Sequence, residues 1–393
     1  MPACGQDHVA TIKASWRTGG PATVTPNTGA GTPASLNEGD YLMKSGLTQR
    51  ARAWGAAIAL SLTLLSAGAA PAREAPPGDQ AIQQAVDQAY AKFKGVMEGE
   101  NASYIPYLAK ADPKLYGIAV VTADGRVFKA GDAGQEFPVE SIAKVFTLAR
   151  VLKDQGPDAM MAKIGVNATG QPFNSVLAIE LNNDKLTGSP PAGNPLVNAG
   201  AIAAASLVPG ADLNARWKTV LDTASAFAGR TLALNQDVYQ SEMAGNQHNQ
   251  AIALLLQSYG HLYADPAMTV DLYTRECSYN VSAVDLATMG ATLANGGINP
   301  VSHKAVVDPA TSARVLAVMA TAGLYNTSGE WLFKVGLPGK SGVGGGILAV
   351  APGKLAIGVY SSRLDAAGNS VRGQLAAQSI GEALGLNLFA AGK

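Results

Sequence analysis

Two stretches of this chain read as β-hairpins, one early and one late, and the long segment between them reads as helices and loops. The early one is a β-branched apolar run over 116–122, a turn at Asp124-Gly125 and a return over 126–130. Asp-Gly predicts a type I′ turn, whose two central residues need positive φ. The late one runs over 346–350, turns at Pro352-Gly353 and returns over 355–361. Helical spacing of Ile82, Val86, Tyr90 and Phe93 predicts an amphipathic helix over 80–97, and a last helix is expected over 370–384. Between the hairpins, helices are expected over 141–152, 199–207, 215–228, 249–259, 282–294 and 309–320. Ser282 with Asp285 suggests a weak capping box, and Asn295-Gly296-Gly297 a helix stop. Hairpins segregated from helices predict an α+β layered domain rather than a doubly wound parallel sheet. Its sheet part would use about 80–137 and 335–393, and its helical part about 138–334.

The composition narrows the chemistry. Of 393 residues, 47% are hydrophobic, enough for one large domain or two small ones. Lys and Arg total 29, as do Asp and Glu, and no basic stripe interleaves with aromatics. A balanced chain has no long-range attraction for nucleic acid, so that partner is excluded. Cys4 and Cys277 make neither a disulfide framework nor a zinc site. The four histidines, His8, His248, His261 and His303, include no HExxH pair. A hydrolase built from this chain therefore needs a base other than histidine and no metal cofactor.

The N-terminal part differs from the rest. Residues 19–40 are rich in Gly, Pro, Thr, Ser and Asn without apolar period, and cannot bury enough surface to offset the entropy of ordering. At Met43 a new pattern opens, with Lys44, Arg50 and Arg52, then an apolar run over 53–65. Candidate cleavage sites follow at Ala67-Gly68-Ala69 and Ala70-Pro71-Ala72. This is the layout of a secretory signal peptide over 43–72. The run is too short for a transmembrane span, which needs about 20 residues. The expectation is a start at Met43, residues 1–42 being an upstream or disordered segment, then a linker over 73–79 and a folded domain over 80–393. Localisation would be periplasmic or secreted, with a cytoplasmic protein the alternative. Losing the leader removes Cys4 and leaves Cys277 as a buried small hydrophobe.

The segment that carries chemistry is Ser141-Ile142-Ala143-Lys144, preceded by Phe137-Pro138-Val139-Glu140. Pro138 disfavours helix before it, and Ser141 can open the next one. Residues three apart share a helical face, so Ser141 and Lys144 can meet. A serine hydroxyl needs a base, and a lysine amine serves only when neutral. Burial against Ile142, Val145 and Phe146 would favour the neutral form. Alone, S-x-x-K is weak, and its bland reading is a capping serine with a surface lysine. A second element, Lys340-Ser341-Gly342 in the glycine-rich loop 336–346, resembles the K-T-G that accompanies S-x-x-K in penicillin-recognising enzymes. The phosphate-loop pattern fails there, because Lys334 stands where its opening glycine belongs.

Together these segments resemble the bacterial and mitochondrial glutaminase family, over about residues 83–388. Further landmarks are Tyr104-Ile105-Pro106, Asn194-Pro195-Leu196-Val197-Asn198-Ala199-Gly200, Ser241-Glu242 with Asn249, Tyr273 with Cys277-Ser278, and Tyr325 with Ser328-Gly329-Glu330. The resemblance implies a serine β-lactamase/transpeptidase-like fold and hydrolysis of L-glutamine without a cofactor. It casts Ser141 as nucleophile, Lys144 as its base and Tyr325 as a proton relay. The N–H groups of Ser141 and Val343 would form the oxyanion hole. Tyr104 would line the pocket, and Asn198, Glu242, Asn249 and Tyr273 would grip the amino-acid part of the substrate. A carboxylate suits an α-ammonium, and amide and phenol donors suit an α-carboxylate. The resemblance also implies a homo-oligomer, dimer or tetramer. Departures are Ala143, where many relatives have a second serine, His248, where arginine is common, and a long loop over 181–193. His248 itself is expected on a helix surface. The rival readings are a penicillin-recognising serine hydrolase, against which no S-D-N element is found, and a non-catalytic glutamine-binding protein.

Overall fold

The computed structural model describes residues 77–182 and 187–390. The leader, with its cleavage sites, and residues 183–186 of the 181–193 loop lie outside the described residues. Among the described residues the five main strands are β1 Gly117–Thr122, β2 Val127–Gly131, β3 Gly339–Ser341, β4 Gly346–Ala351 and β5 Leu355–Tyr360. They form one antiparallel sheet in the order β2-β1-β5-β4-β3. The early and late hairpins meet where β1 pairs with β5, from Gly117 opposite Tyr360 to Thr122 opposite Leu355.

Every residue of β1 is buried, and its alternation serves two cores. Ile118 and Val120 join Ile82, Val86, Ile357, Val359 and Ile380. Ala119 and Val121 join Leu286, Met289, Leu348 and Val350. Each fully buried Val, Ile or Leu contributes about 1.5–3 kcal/mol. The helices Asp79–Phe93 and Val371–Ala383 cover the first face, and Ala283–Ala294 covers the second. This last helix lies very close to the sheet. A Cβ on Gly358 would fall 2.3 Å from the Ala283 carbonyl oxygen, so only glycine fits β5 there. Beyond it, Ala143–Lys163, Asn198–Leu207, Leu213–Ala228, Gln247–Ser258 and Pro266–Cys277 pack on one another as the helical layer. The architecture is thus α+β, as the segregation of hairpins from helices predicted. One helix of the expected helical part, Ala283–Ala294, nevertheless belongs to the sheet layer.

Several details differ from expectation. At the first turn Gly125 alone takes positive φ, 94°, and its N–H donates to the Thr122 carbonyl at 2.9 Å. Thr122 N–H then reaches the Arg126 carbonyl at 3.0 Å. The loop therefore holds three residues, the geometry in which a left-handed glycine closes the turn, rather than type I′. Lys340 and Ser341 belong not to a loop but to edge strand β3, paired with Leu348 and Ile347 of β4. The helix expected over 199–207 begins one residue earlier, at Asn198. The helix expected over 141–152 begins as a single 3-10 turn, Glu140–Ile142, and continues as Ala143–Lys163 with a break at Gly156, φ 80°, before Pro157. The helices Gln236–Ala244, Pro266–Cys277 and Ser328–Val335 were not expected. Pro266–Cys277 has a legible start, since Asp265 accepts from Met268 N–H at 2.8 Å and proline follows it. Among the described residues no helix is long and apolar enough to cross a membrane.

Candidate active site

The first turns of Ala143–Lys163 are buried on all sides, since residues 143–149 are all buried. That burial decides the state of Lys144, which is 1% exposed. Its Nζ lies 2.7 Å from Ser141 Oγ and donates to Asn198 Oδ1 at 2.8 Å. It also stands 5.5 Å from the centre of the Tyr273 ring. Burial above all holds the Lys144 pKa below the ordinary lysine value, although Cys277, Glu276, Glu140 and Glu242 pull the other way. The expected pair is therefore in contact, and the capping reading of Ser141 fails, because its hydroxyl faces the lysine and makes no cap bond.

Asn198 links the pair to a second helix. Its Nδ2 donates to Asn249 Oδ1 at 3.0 Å, and its N–H donates to the Phe173 carbonyl at 2.8 Å. Opposite stands Tyr325, whose backbone φ is 58°. Its hydroxyl bonds the Ser141 side chain and donates to the Ser341 carbonyl at 3.3 Å. Lys340 Nζ sits 4.1 Å from the Tyr325 ring centre and donates to the same carbonyl at 2.6 Å. Burial, and next the charge of Lys144, holds Lys340 well below the ordinary lysine pKa. The turn after β3 packs on the start of the Ser141 helix. A Cβ on Gly344 would fall 2.3 Å from the Pro138 carbonyl oxygen. Among the described residues the N–H groups of Ser141 and Val343 have no hydrogen-bond acceptor.

A cavity of about 180 Å³ opens on these groups, lined by Ser141, Asn198, Glu242, Asn249, Tyr273 and Val343. Tyr104 stands at its rim, 63% exposed. Tyr325 is buried and meets the Ser141 side chain without lining the cavity. All the residues expected at the site are thus brought together. His248 is exposed as expected, but its Nε2 lies 2.6 Å from the Asn174 carbonyl and its side chain joins the cavity wall. Cys277 is a free, buried thiol behind the site.

Two acids escaped the sequence reading. Glu140, next to the serine, is 3% exposed with φ 50°, and its carboxyl meets that of Glu242. Positive φ in a non-glycine residue costs about 1–3 kcal/mol and marks functional sites, but it is invisible in sequence. Glu276 is fully buried, accepts from Thr147 Oγ1 at 2.6 Å, and burial pushes its pKa up to about 8.

A serine and a buried lysine in contact, under the edge strand of an antiparallel sheet with helices on both sides, define a protein of the β-lactamase-like fold class. The glutaminase family model matches residues 99–389. A glutaminase of Brucella canis is 53% identical over 309 residues, covering 79% of this chain and 96% of that protein. Glutaminase 1 of Escherichia coli O157:H7 is 51% identical over 308 residues, covering 78% and 97%. Among solved structures, one described as probable glutaminase ybaS superposes with a TM-score of 0.78 at 49% identity, covering 80% of this chain and all of that one. A probable glutaminase of Bacillus subtilis gives 0.70 at 29% identity, covering 78% and 96%. The chain belongs to the glutaminase family.

Proposed function

We propose that this protein hydrolyses L-glutamine to L-glutamate and ammonia through an ester intermediate on Ser141. The observation that carries the reading is the 2.7 Å contact between Ser141 Oγ and the buried Lys144 Nζ. A neutral Lys144 takes the hydroxyl proton as Oγ attacks the side-chain amide carbon. The negative oxygen that forms is met by the N–H groups of Ser141 and Val343. The C–N bond breaks as ammonia leaves, carrying a proton returned by Lys144 or relayed by Tyr325. Water then attacks the ester with the same base, releasing glutamate and restoring the serine.

Glu242 supplies the negative charge for the α-ammonium. Asn198 accepts from Lys144 and donates to Asn249 Oδ1, which orients the Asn249 Nδ2 group as a donor to the α-carboxylate; the Tyr273 hydroxyl, on the same cavity wall, is the second donor. A site built to satisfy these groups rejects amides that lack them. The test is ammonia release by the mature chain from glutamine, asparagine and a penicillin side by side. Release from glutamine, lost in Ser141→Ala, is the expected result. Acylation by the penicillin without ammonia release, or glutamine binding without turnover, would overturn the reading.

Export to the periplasm or medium is part of the proposal, supported by the Met43 leader pattern. N-terminal sequencing of the secreted protein checks it, and a mature chain retaining residues before Met43 would defeat it. Assembly as a dimer or tetramer is supported by the family resemblance, and light scattering on the purified protein tests it.

A further inference from the structure

Glu140 and Glu242 approach the cavity from different elements. Glu140 belongs to the 3-10 turn that carries Ser141, and Glu242 to the helix Gln236–Ala244. Both line the cavity, and each has a buried Oε1 that no N–H or O–H donor reaches among the described residues. Their carboxyl groups are in hydrogen-bond contact with each other. Two ionised carboxylates cannot share such a contact, because both are acceptors only and their charges repel. One proton between them turns the contact into an O–H···O⁻ bond.

The backbone holds Glu140 in place for this. Its left-handed conformation is clamped by the turn after β3, where Cβ positions on Gly342 and Gly344 would fall 3.3 Å from Glu140 Cβ and 3.1 Å from its Cγ. Val139 N–H is tied to the Tyr279 carbonyl at 3.0 Å. A strained φ survives only where neighbours over-determine it.

We propose that Glu140 is a positioning residue that holds a proton against Glu242, so that the substrate's ammonium group meets a single negative charge and Lys144 faces one carboxylate rather than two. The proposal rests on the reading of Glu242 as the ammonium partner. The proton belongs on Glu140 because burial, then the neighbouring charge of Glu242, raises its pKa well above the ordinary value. Burial raises the pKa of Glu242 too, but the bond from Glu140 and the charge of Lys144 act the other way on it, so the shared proton rests on Glu140. The pair titrates as a unit. The other groups that face it are Lys144 from its own helix, Cys277 and Tyr273 from Pro266–Cys277, His248 from Gln247–Ser258, and Tyr104 and Tyr325. The cation acting on the pair is Lys144, and among the described residues no arginine bridges the two acids.

The consequence for catalysis has a definite sign. When Glu140 loses its proton, a second negative charge appears beside Lys144 and raises the lysine pKa. Lys144 then holds a proton and cannot serve as base, and the extra charge repels the substrate's α-carboxylate. The profile of kcat/KM against pH therefore rises as Lys144 becomes neutral and falls as the pair loses its shared proton.

Two substitutions read this out. Glu140→Leu removes the donor and is expected to raise KM for glutamine at least tenfold at neutral pH. Glu140→Gln keeps an N–H donor without a titrating proton. It is expected to recover most of that KM loss while abolishing the falling alkaline limb. A retained alkaline limb in Glu140→Gln, or an unchanged KM in Glu140→Leu, would overturn the proposal. Infrared spectra of the ligand-free protein supply a readout independent of turnover. The protonated-carboxyl band at neutral pH should shrink in Glu140→Gln, beside a Glu276→Gln control. An undiminished band defeats the proton sharing, whereas a diminished band with no ammonia release from glutamine by the wild type defeats only the ammonium reading.

Discussion

Two helix starts in this protein pair a serine with an acid and treat the acid in opposite ways. At the start of Ala283–Ala294, Ser282 Oγ accepts from Asp285 N–H at 3.2 Å, and Asp285 Oδ2 accepts from Ser282 N–H at 2.7 Å. Arg230 adds two bonds of 2.7 Å, from Nε to Oδ1 and from Nη2 to Oδ2. Burial opposes ionisation of Asp285, but these bonds outweigh it and hold its pKa below the ordinary value. At the start of Ala143–Lys163, Glu140 meets another carboxyl with no arginine partner among the described residues, and burial moves its pKa up. A satisfied carboxylate supports a helix. An unsatisfied one keeps its proton and its place in the cavity.

Substitutions can break this comparison, and the largest effects belong to the site. Ser141→Ala should lower kcat by a factor on the order of 10⁴ or more, with an unchanged circular dichroism spectrum. Lys144→Met, which keeps the buried volume, should do the same. Normal turnover in either would remove the contrast between a helix start built for chemistry and one built for stability. Glu242→Gln should raise KM by roughly tenfold to a hundredfold, since a lost charge-assisted bond costs about 1.5–3 kcal/mol, with a smaller change in kcat. A KM equal to wild type would show that the ammonium binds elsewhere.

Asp285→Ala should lower the unfolding free energy by about 1–3 kcal/mol, seen as a lower denaturation midpoint, and leave kcat unchanged. A fall in activity without a fall in stability would place Asp285 in the site's service and collapse the distinction. The pH dependence sharpens it further. The stability contributed by Asp285 is full above the ordinary carboxylate pKa and is lost as pH falls through its lower folded value. Glu276 has the reverse sign. Between 4.5 and about 8 the folded state holds a proton that the unfolded chain has released, so stability declines as pH rises through that window. Glu276→Gln should flatten this decline in urea-denaturation curves taken at stepped pH. An unaltered slope would mean that Glu276 is ionised in the folded protein.

Local pattern was enough for the hairpins at 116–130 and 346–361, the capping box at Ser282 and the Ser141–Lys144 pairing. Each depends on residues a few positions apart, and period-two or period-three spacing sets which side chains share a face. Ordered motifs also pointed, through family resemblance, to residues from Tyr104 to Val343 that the fold gathers around Ser141. Tertiary packing decided the rest. It made Lys340-Ser341 a strand, because the partner is β4, and it buried Lys144 under helices distant in the chain. It brought Glu242 to within one hydrogen bond of Glu140. Charge state follows from burial and from donors supplied by other elements, and neither is written in a residue's neighbours along the chain.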